Sequence, residues 1–458
     1  MEKSKIAFTF LFAFVFISIN VVAQELWSLE KCINYAFEHN IQIKQSVLDV
    51  ESSGEDLLQS KLSLLPTLNA SASHNTGWGR SLDMATYRYT NKTTRQMYFS
   101  LNSDITLFNG LQQVNTIRKR QFDYLAKKYN SDKIKNDMSL NIAAAYLQIL
   151  FNTELVNNAK RQVEITRQQI IRTKKQVEAG VLAKGNLLDI EAQGANEEVN
   201  LVNAKNRLTL SYLDLMQLLD LKSDIQFDIE KPQLDINAKP QLLPVNTIYN
   251  TAIGIMPEIK SAEYSLKSAE QSLAIARGQR SPRLTLNGSY GNNYSDQIKK
   301  SYDPTSPDFN MEKPFWDQIA DNRNITLAFR LYIPIFNGFQ VSNYINKSKI
   351  YKETANLNLE LEKNNLRKRI EQAYTDAIAA YKTYQARKKS VESLRESFKY
   401  AQEKLNVGML NSTDYNVAKI QLSNAESDLA SAKFDYIFKT KILDFYLGKE
   451  ITLKDISK

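Results

Sequence analysis

The chain has 458 residues, a formal net charge of +9, 24% charged and 43% hydrophobic residues, and one cysteine. A single cysteine excludes an internal disulfide, and past the N-terminus no stretch is apolar for the roughly 20 residues that a spanning helix needs. Lys and Arg are interspersed with Asp and Glu rather than clustered, which is the pattern of solvated helix faces and not of a nucleic-acid surface.

Lys3 and Lys5 precede an apolar run over residues 6–19 and then Val21-Val22-Ala23. These are the three regions of a secretory signal peptide, so residues 1–23 are expected to be removed and the mature chain to start near Gln24. Cys32 follows Glu30-Lys31 instead of marking the cleavage point, so no lipid anchor is expected and a buried thiol is its expected role.

Ser28 is a fair N-cap with Glu30 in the first turn behind it. The pattern predicts a helix over 29–65, interrupted only at Gly54 and ended by Pro66. The same stretch returns 216 residues later. Ala36 matches Ala252, Ile43 matches Ile259, Lys44 matches Lys260, Ser52 matches Ser268, and Pro66 matches Pro282 (252 − 36 = 282 − 66 = 216). An internal repeat of this length means one structural unit used twice.

After each proline the hydrophobic period drops to two. Phe99, Leu101, Ile105 and Leu107 alternate with Ser100, Asn102, Asp104 and Thr106, and Ile325, Leu327, Phe329 and Leu331 alternate with Thr326, Ala328 and Arg330. This predicts β-hairpins over about 67–108 and 283–336. Alternation of this kind fits strands half in lipid and half in water, and equally a half-buried strand of a soluble sheet. Trp78, Tyr87, Tyr89, Tyr98, Tyr290, Tyr294, Phe315 and Trp316 favour the first reading, as aromatic girdles do.

Phe108-Asn109-Gly110 closes the first hairpin and Phe336-Asn337-Gly338 the second. Each is followed by a run without Gly or Pro, residues 111–179 and 339–407, which Gly180 and Gly408 end (338 − 110 = 408 − 180 = 228). A helix over such a run spans about 100 Å. Ile142, Ile149, Val156, Val163, Ile170 and Val177 recur every seven residues, and the 228-residue step takes them to Ile370, Ala377, Tyr384, Val391, Phe398 and Leu405. A seven-residue period is a coiled-coil seam, and an ordinary two-stranded coiled coil would show it too. The small residues Ala145, Asn152, Ala159 and Thr166 follow three positions later and allow close helix approach. The growth of the offset from 216 to 228 puts 12 extra residues in the second hairpin, in the turn-rich stretch 302–314.

Return helices are expected over 186–221 and 412–447. Residues 222–246, with Pro232, Pro240 and Pro244, form a linker. Residues 24–221 are thus the first structural repeat and 247–458 the second, with Pro66, Gly110, Pro282 and Gly338 as hinges between helix and strand. Two hairpins supply four strands, too few to close a barrel, and an open strand edge is not tolerated in lipid. Several chains must therefore meet around a polar-lined hole, with helices packed side by side below it into a water-filled tube.

The order of these pieces resembles the TolC-like outer-membrane efflux proteins of Gram-negative bacteria. The matching features are the Ala-x(7)-Lys helix starts (Ala36 to Lys44, Ala252 to Lys260, with Pro257-Glu258 in the second), the two Phe-Asn-Gly strand ends, and the Gly180 and Gly408 turns. The resemblance spans the mature chain. It implies a mainly α fold with a membrane β-barrel: a duplicated helix–β-hairpin–long helical hairpin unit, in a homotrimer whose 12-stranded outer-membrane barrel continues into a long periplasmic α-helical barrel. It implies a passive duct for efflux or type I secretion, in contact with outer-membrane lipid, a periplasmic adaptor (membrane fusion) protein and an inner-membrane pump.

The tips of the helical hairpins, Gly180-Val181-Leu182 and Gly408-Met409-Leu410, place apolar residues at exposed turns. They either dock a partner or pack their own turn, and the resemblance favours adaptor docking. Family members carry acidic residues six or nine positions after this glycine, at the periplasmic entrance. Here Asp414 is at plus six and Asp189 at plus nine, while Val417 and Asn186 depart from the pattern. In a trimer each Asp makes a ring of three carboxylates that favours cations; the alternative is a first-turn carboxylate held by the helix dipole.

No phosphate loop, His-Glu-x-x-His or Gly-x-Ser-x-Gly motif is present, and His39 and His74 lack metal-ligand spacing. No enzyme activity, cofactor, metal or nucleic-acid partner is expected. The competing function is a periplasmic coiled-coil adaptor or scaffold, for which a duplicated hairpin would be superfluous.

Overall fold

The computed structural model describes residues 26–83, 86–222, 227–232 and 242–453. The signal-peptide expectation for residues 1–23, and much of the expected linker, lie outside the described residues. The elements repeat at the offsets read from the sequence. Helices α1 (Leu29–His39) and α2 (Ile41–Leu62) are matched by α5 (Val245–Ile255) and α6 (Pro257–Gly278). The long helix α3 (Gln112–Glu178) and its return helix α4 (Lys184–Leu218) are matched by α8 (Gln340–Asn406) and α9 (Ser412–Tyr446). Each long helix has 67 residues and each return helix 35.

The predicted 29–65 helix is two helices. Gly54 does not interrupt it, and the break falls at Asn40, whose ψ of 129° is extended. The Asn40 side chain holds the break: Oδ1 accepts from Ile43 N at 3.1 Å, and Nδ2 donates to the Leu218 carbonyl at 2.9 Å. In the second copy the equivalent residue is Met256, which Pro257 forces out of the helical region.

Contacts divide the chain into two units. Of the described residues, those within 1–47, 131–257 and 363–458 form one, and those within 48–130 and 258–362 form the other. Both copies contribute to each.

The second unit is built on a four-stranded antiparallel sheet of order β1 (Thr67–Asp83), β2 (Arg88–Phe108), β3 (Arg283–Ser295) and β4 (Asn324–Tyr332). β2 pairs with β3 across the two copies, Tyr98 opposite Asn293 and Asp104 opposite Asn287, with an irregularity between Thr106 and Phe108. β1 and β4 are left as edges. Every residue of β4 is exposed, Ile325 at 81% and Phe329 at 67%. The 12 extra residues do not lengthen the second hairpin's strands. They fold into a connection containing a short helix α7 (Phe315–Asp321). The side chain of Gln318, fully buried, accepts from Ser295 N at 2.9 Å and donates to the carbonyls of Ser295 and Lys313, closing the end of β3.

The first unit is helical around a core that includes Leu29, Cys32, Ala36, Ile142, Tyr146, Ile149, Leu215 and Ile437. The Tyr146 hydroxyl lies 3.1 and 2.8 Å from the carbonyl oxygens of Trp27 and Glu230, tying the chain start to the residues between the copies. Burial pushes the Cys32 thiol up to about 12 and raises the Tyr146 phenol well above its ordinary value. Along α3 the seam is apolar only at first. Ile142, Ile149 and Val156 are buried, whereas Val163, Ile170 and Val177 are half-buried and the buried places pass to Asn152, Thr166 and Thr173. A straight helix drifts about 20° per heptad against a seven-residue stripe, so the covered face moves onto the small polar residues.

Hairpin tips and the polar seam behind them

The two helical hairpins turn by one device. At the end of α3, Gly180 has φ +73°; its N–H donates to the Val177 carbonyl at 3.0 Å, and Val181 N donates to Gln176 O at 2.8 Å. At the end of α8, Gly408 has φ +77°, with Gly408 N to Leu405 O at 3.2 Å and Met409 N to Lys404 O at 2.8 Å. This paired pattern is the Schellman stop, which needs a residue free to adopt left-handed backbone. Its usual apolar lid is missing, because Gln176 and Lys404 stand where an apolar partner would. Val181 is therefore 69% exposed and Met409 76%, with Leu182 and Leu410 half-buried behind them.

The return helices start differently. Asn411 caps α9, accepting from Asp414 N at 2.8 Å while its Nδ2 donates to the Asp414 carboxylate at 2.8 Å. Ala183 caps α4 with no side-chain bond. Asp414 is in the first turn, as expected, but the first turn of α4 holds no acidic residue, so Asp189 is no dipole carboxylate. Both are exposed. The two copies meet near their tips through Arg172 of α3, which donates to Asn406 of α8.

Behind the tips lies a polar seam that sequence reasoning missed. Lys419 of α9 and Glu197 of α4 form an ion pair at 2.8 Å, with side chains only 3% and 8% exposed. Thr166 of α3 donates to the other Glu197 oxygen at 2.5 Å and accepts from Lys419. Gln193 adds a donor to Glu197 at 3.0 Å, and Lys419 also reaches the Gln162 carbonyl at 3.3 Å. Burial pushes the Lys419 ammonium below its ordinary value, against the opposing pull of Glu197. The spacing held the signal. Ile190, Glu197, Ala204 and Ser211 fall every seven residues and are all buried, and Tyr415, Lys419 and Leu422 share one helix face.

Pro66 and Pro282 immediately precede β1 and β3. Gly110 (φ +67°) and Gly338 (φ +60°) begin each long-helix entry, and the residues after them, Leu111 and Phe339, are also left-handed. Gly110 has no room for a side chain, since a Cβ there would stand 2.4 Å from the Gly278 carbonyl.

The profile of the outer membrane efflux protein family matches residues 32–220 and 248–449, which covers both copies. The chain belongs to that family. It is an outer-membrane channel protein and not an enzyme, and its relatives lend no support to the adaptor reading. The outer membrane protein TolC of Escherichia coli is 22% identical over 415 residues, covering 89% of this chain and 80% of that one. TolC of Vibrio cholerae is 21% identical over 444 residues, covering 95% and 94%. In fold, the crystal structure of the outer membrane protein VceC from Vibrio cholerae aligns with a TM-score of 0.73 at 16% identity, over 92% of this chain and 96% of that one. Among the described residues, no group of three or more His, Cys, Asp or Glu could hold a metal ion, and no helix is long and apolar enough to cross a membrane.

Proposed function

We propose that three copies of this chain close a 12-stranded barrel in the outer membrane and that their helical hairpins form one periplasmic duct, passive in itself. The observation that carries this is the sheet. It has four antiparallel strands, two edges, β1 and β4, that no described strand pairs, and an apolar row along β4 that no described residue covers. In hydrocarbon each unpaired backbone group costs several kcal/mol, so the edges must find each other between chains. Each structural repeat, 24–221 and 247–458, supplies one hairpin to the barrel and one to the duct, with Pro66, Gly110, Pro282 and Gly338 redirecting the chain between them.

In the helical unit, Val181 and Met409, with Leu182 and Leu410 behind them and Gly180 and Gly408 setting the turns, form the docking tips for a periplasmic adaptor that couples the duct to an inner-membrane pump or type I secretion system. Asp189 and Asp414 line the entrance as carboxylate rings. The test is fractionation followed by gel analysis. The protein should stay with outer membranes through a high-salt wash and run as a trimer that heat converts to monomer. Release by salt as a monomer would contradict the reading.

A further inference from the structure

A cavity of about 640 Å³ opens to solvent in the helical unit, between α1, the middle of α3, the α5–α6 junction and the segment that follows α9. That volume is in the range of small-molecule sites, which are mostly apolar with a few placed polar groups. Ile33, Phe37, Ile255, Met256, Phe445 and Ile451 give it apolar walls. Gly448, left-handed at φ +78°, lets the chain after α9 close against Ile255, where any Cβ would come within 2.8 Å.

The charge in this cavity is one-sided. Glu30 lines it from the first turn of α1. Glu450 is a second carboxylate in the lining. The cation present, Lys449, is engaged elsewhere, donating to Asp444 at 2.9 Å. The repeat does not demand Glu30. The 216-residue step takes it to Asn246, so the acid is particular to the first copy.

We infer that this cavity is a binding site for an amphipathic organic cation, with the apolar body against Phe37, Met256 and Phe445 and the positive centre at Glu30. Apolar walls with two carboxylates, and a lysine that is paired to Asp444, select for charge sign as well as for hydrophobic area.

The probe is tetraphenylphosphonium, with tetraphenylborate as an anion of the same shape, measured by equilibrium dialysis against the purified full chain with detergent matched on both sides. The cation should bind saturably, once per chain, and the borate should not. Glu30→Gln should weaken cation binding at least tenfold. Thr251→Trp, at an exposed lining residue, should do the same while keeping the carboxylate. Binding that does not saturate, that Glu30→Gln leaves unchanged, or that the borate shares would overturn the assignment. If Glu30→Gln does not assemble, Thr251→Trp decides, and unchanged binding there would overturn it. Dialysis does not involve conduction, so the result stands apart from the duct reading.

Discussion

Lys419 and Glu197 face each other at 2.8 Å inside a three-helix seam, and they come from different copies of the repeat. The 228-residue step takes Glu197 to Ala425 and Lys419 back to Glu191, so neither copy carries the pair alone. The bond therefore joins the first helical hairpin to the second. Removing one partner leaves an uncompensated buried charge. Lys419→Met should cost about 3–5 kcal/mol, whereas Lys419→Met with Glu197→Leu should recover most of it. Denaturant melts of the three proteins would show this, and a double variant no better than the single one would count against it.

The same lysine sets a pH slope. Its folded pKa lies below the ordinary 10.5, so above that lowered value the unfolded chain binds the extra proton. Stability contributed by this site therefore rises with pH through the window that ends near 10.5. Lys419→Met should flatten that slope in thermal melts across the alkaline range, and an unchanged slope would assign it to other groups.

The two junction glycines should respond unequally to alanine. Both are left-handed, which costs an alanine about 1–2 kcal/mol. At Gly338 no other atom lies within 4 Å of the new Cβ, so the cost stops there. At Gly110 the Cβ meets the Gly278 carbonyl and Ser281, and backbone must move. Gly110→Ala should lower the yield of folded protein far more than Gly338→Ala.

The return helices differ in their caps. Asn411→Ala should destabilise the second tip by about 1 kcal/mol, and Ala183→Ser should stabilise the first by a similar or smaller amount. Hydrogen exchange at the first turns of α9 and α4 would report each change locally.

Asp189 and Asp414 are exposed near the tips. If they ring the entrance, Asp189→Ala with Asp414→Ala should raise single-channel conductance in a planar bilayer and reduce cation preference. Unchanged values would return Asp414 to its role as partner of the Asn411 cap.

Much of this fold was legible in the chain because it is written twice. The 216- and 228-residue steps placed the strands, the long helices and both tip glycines. The break at Asn40 was missed, although Pro257, one residue past its equivalent Met256, announces the same break in the second copy. Helix α7 was missed because seven residues in a turn-rich loop give no periodicity. The Lys419–Glu197 pair was missed because charged residues at seam spacing were read as part of a solvated face. Its burial depends on three helices meeting, which no single-helix pattern displays.

The closing of β1 onto β4 between chains can be measured by disulfide formation. In a Cys32→Ser background, cysteine at Ser73 on β1 is paired with cysteine at Thr326, Ala328 or Arg330 on β4, which lie on the same face of the sheet. Within one open sheet of this order the two edges are separated by three strand spacings, about 14 Å. That is beyond the roughly 7 Å limit for Cα atoms joined by a disulfide. Oxidation in outer membranes should give covalent dimers and trimers and nothing larger. Monomers alone, or a ladder that runs past three, would contradict a closed ring of three chains.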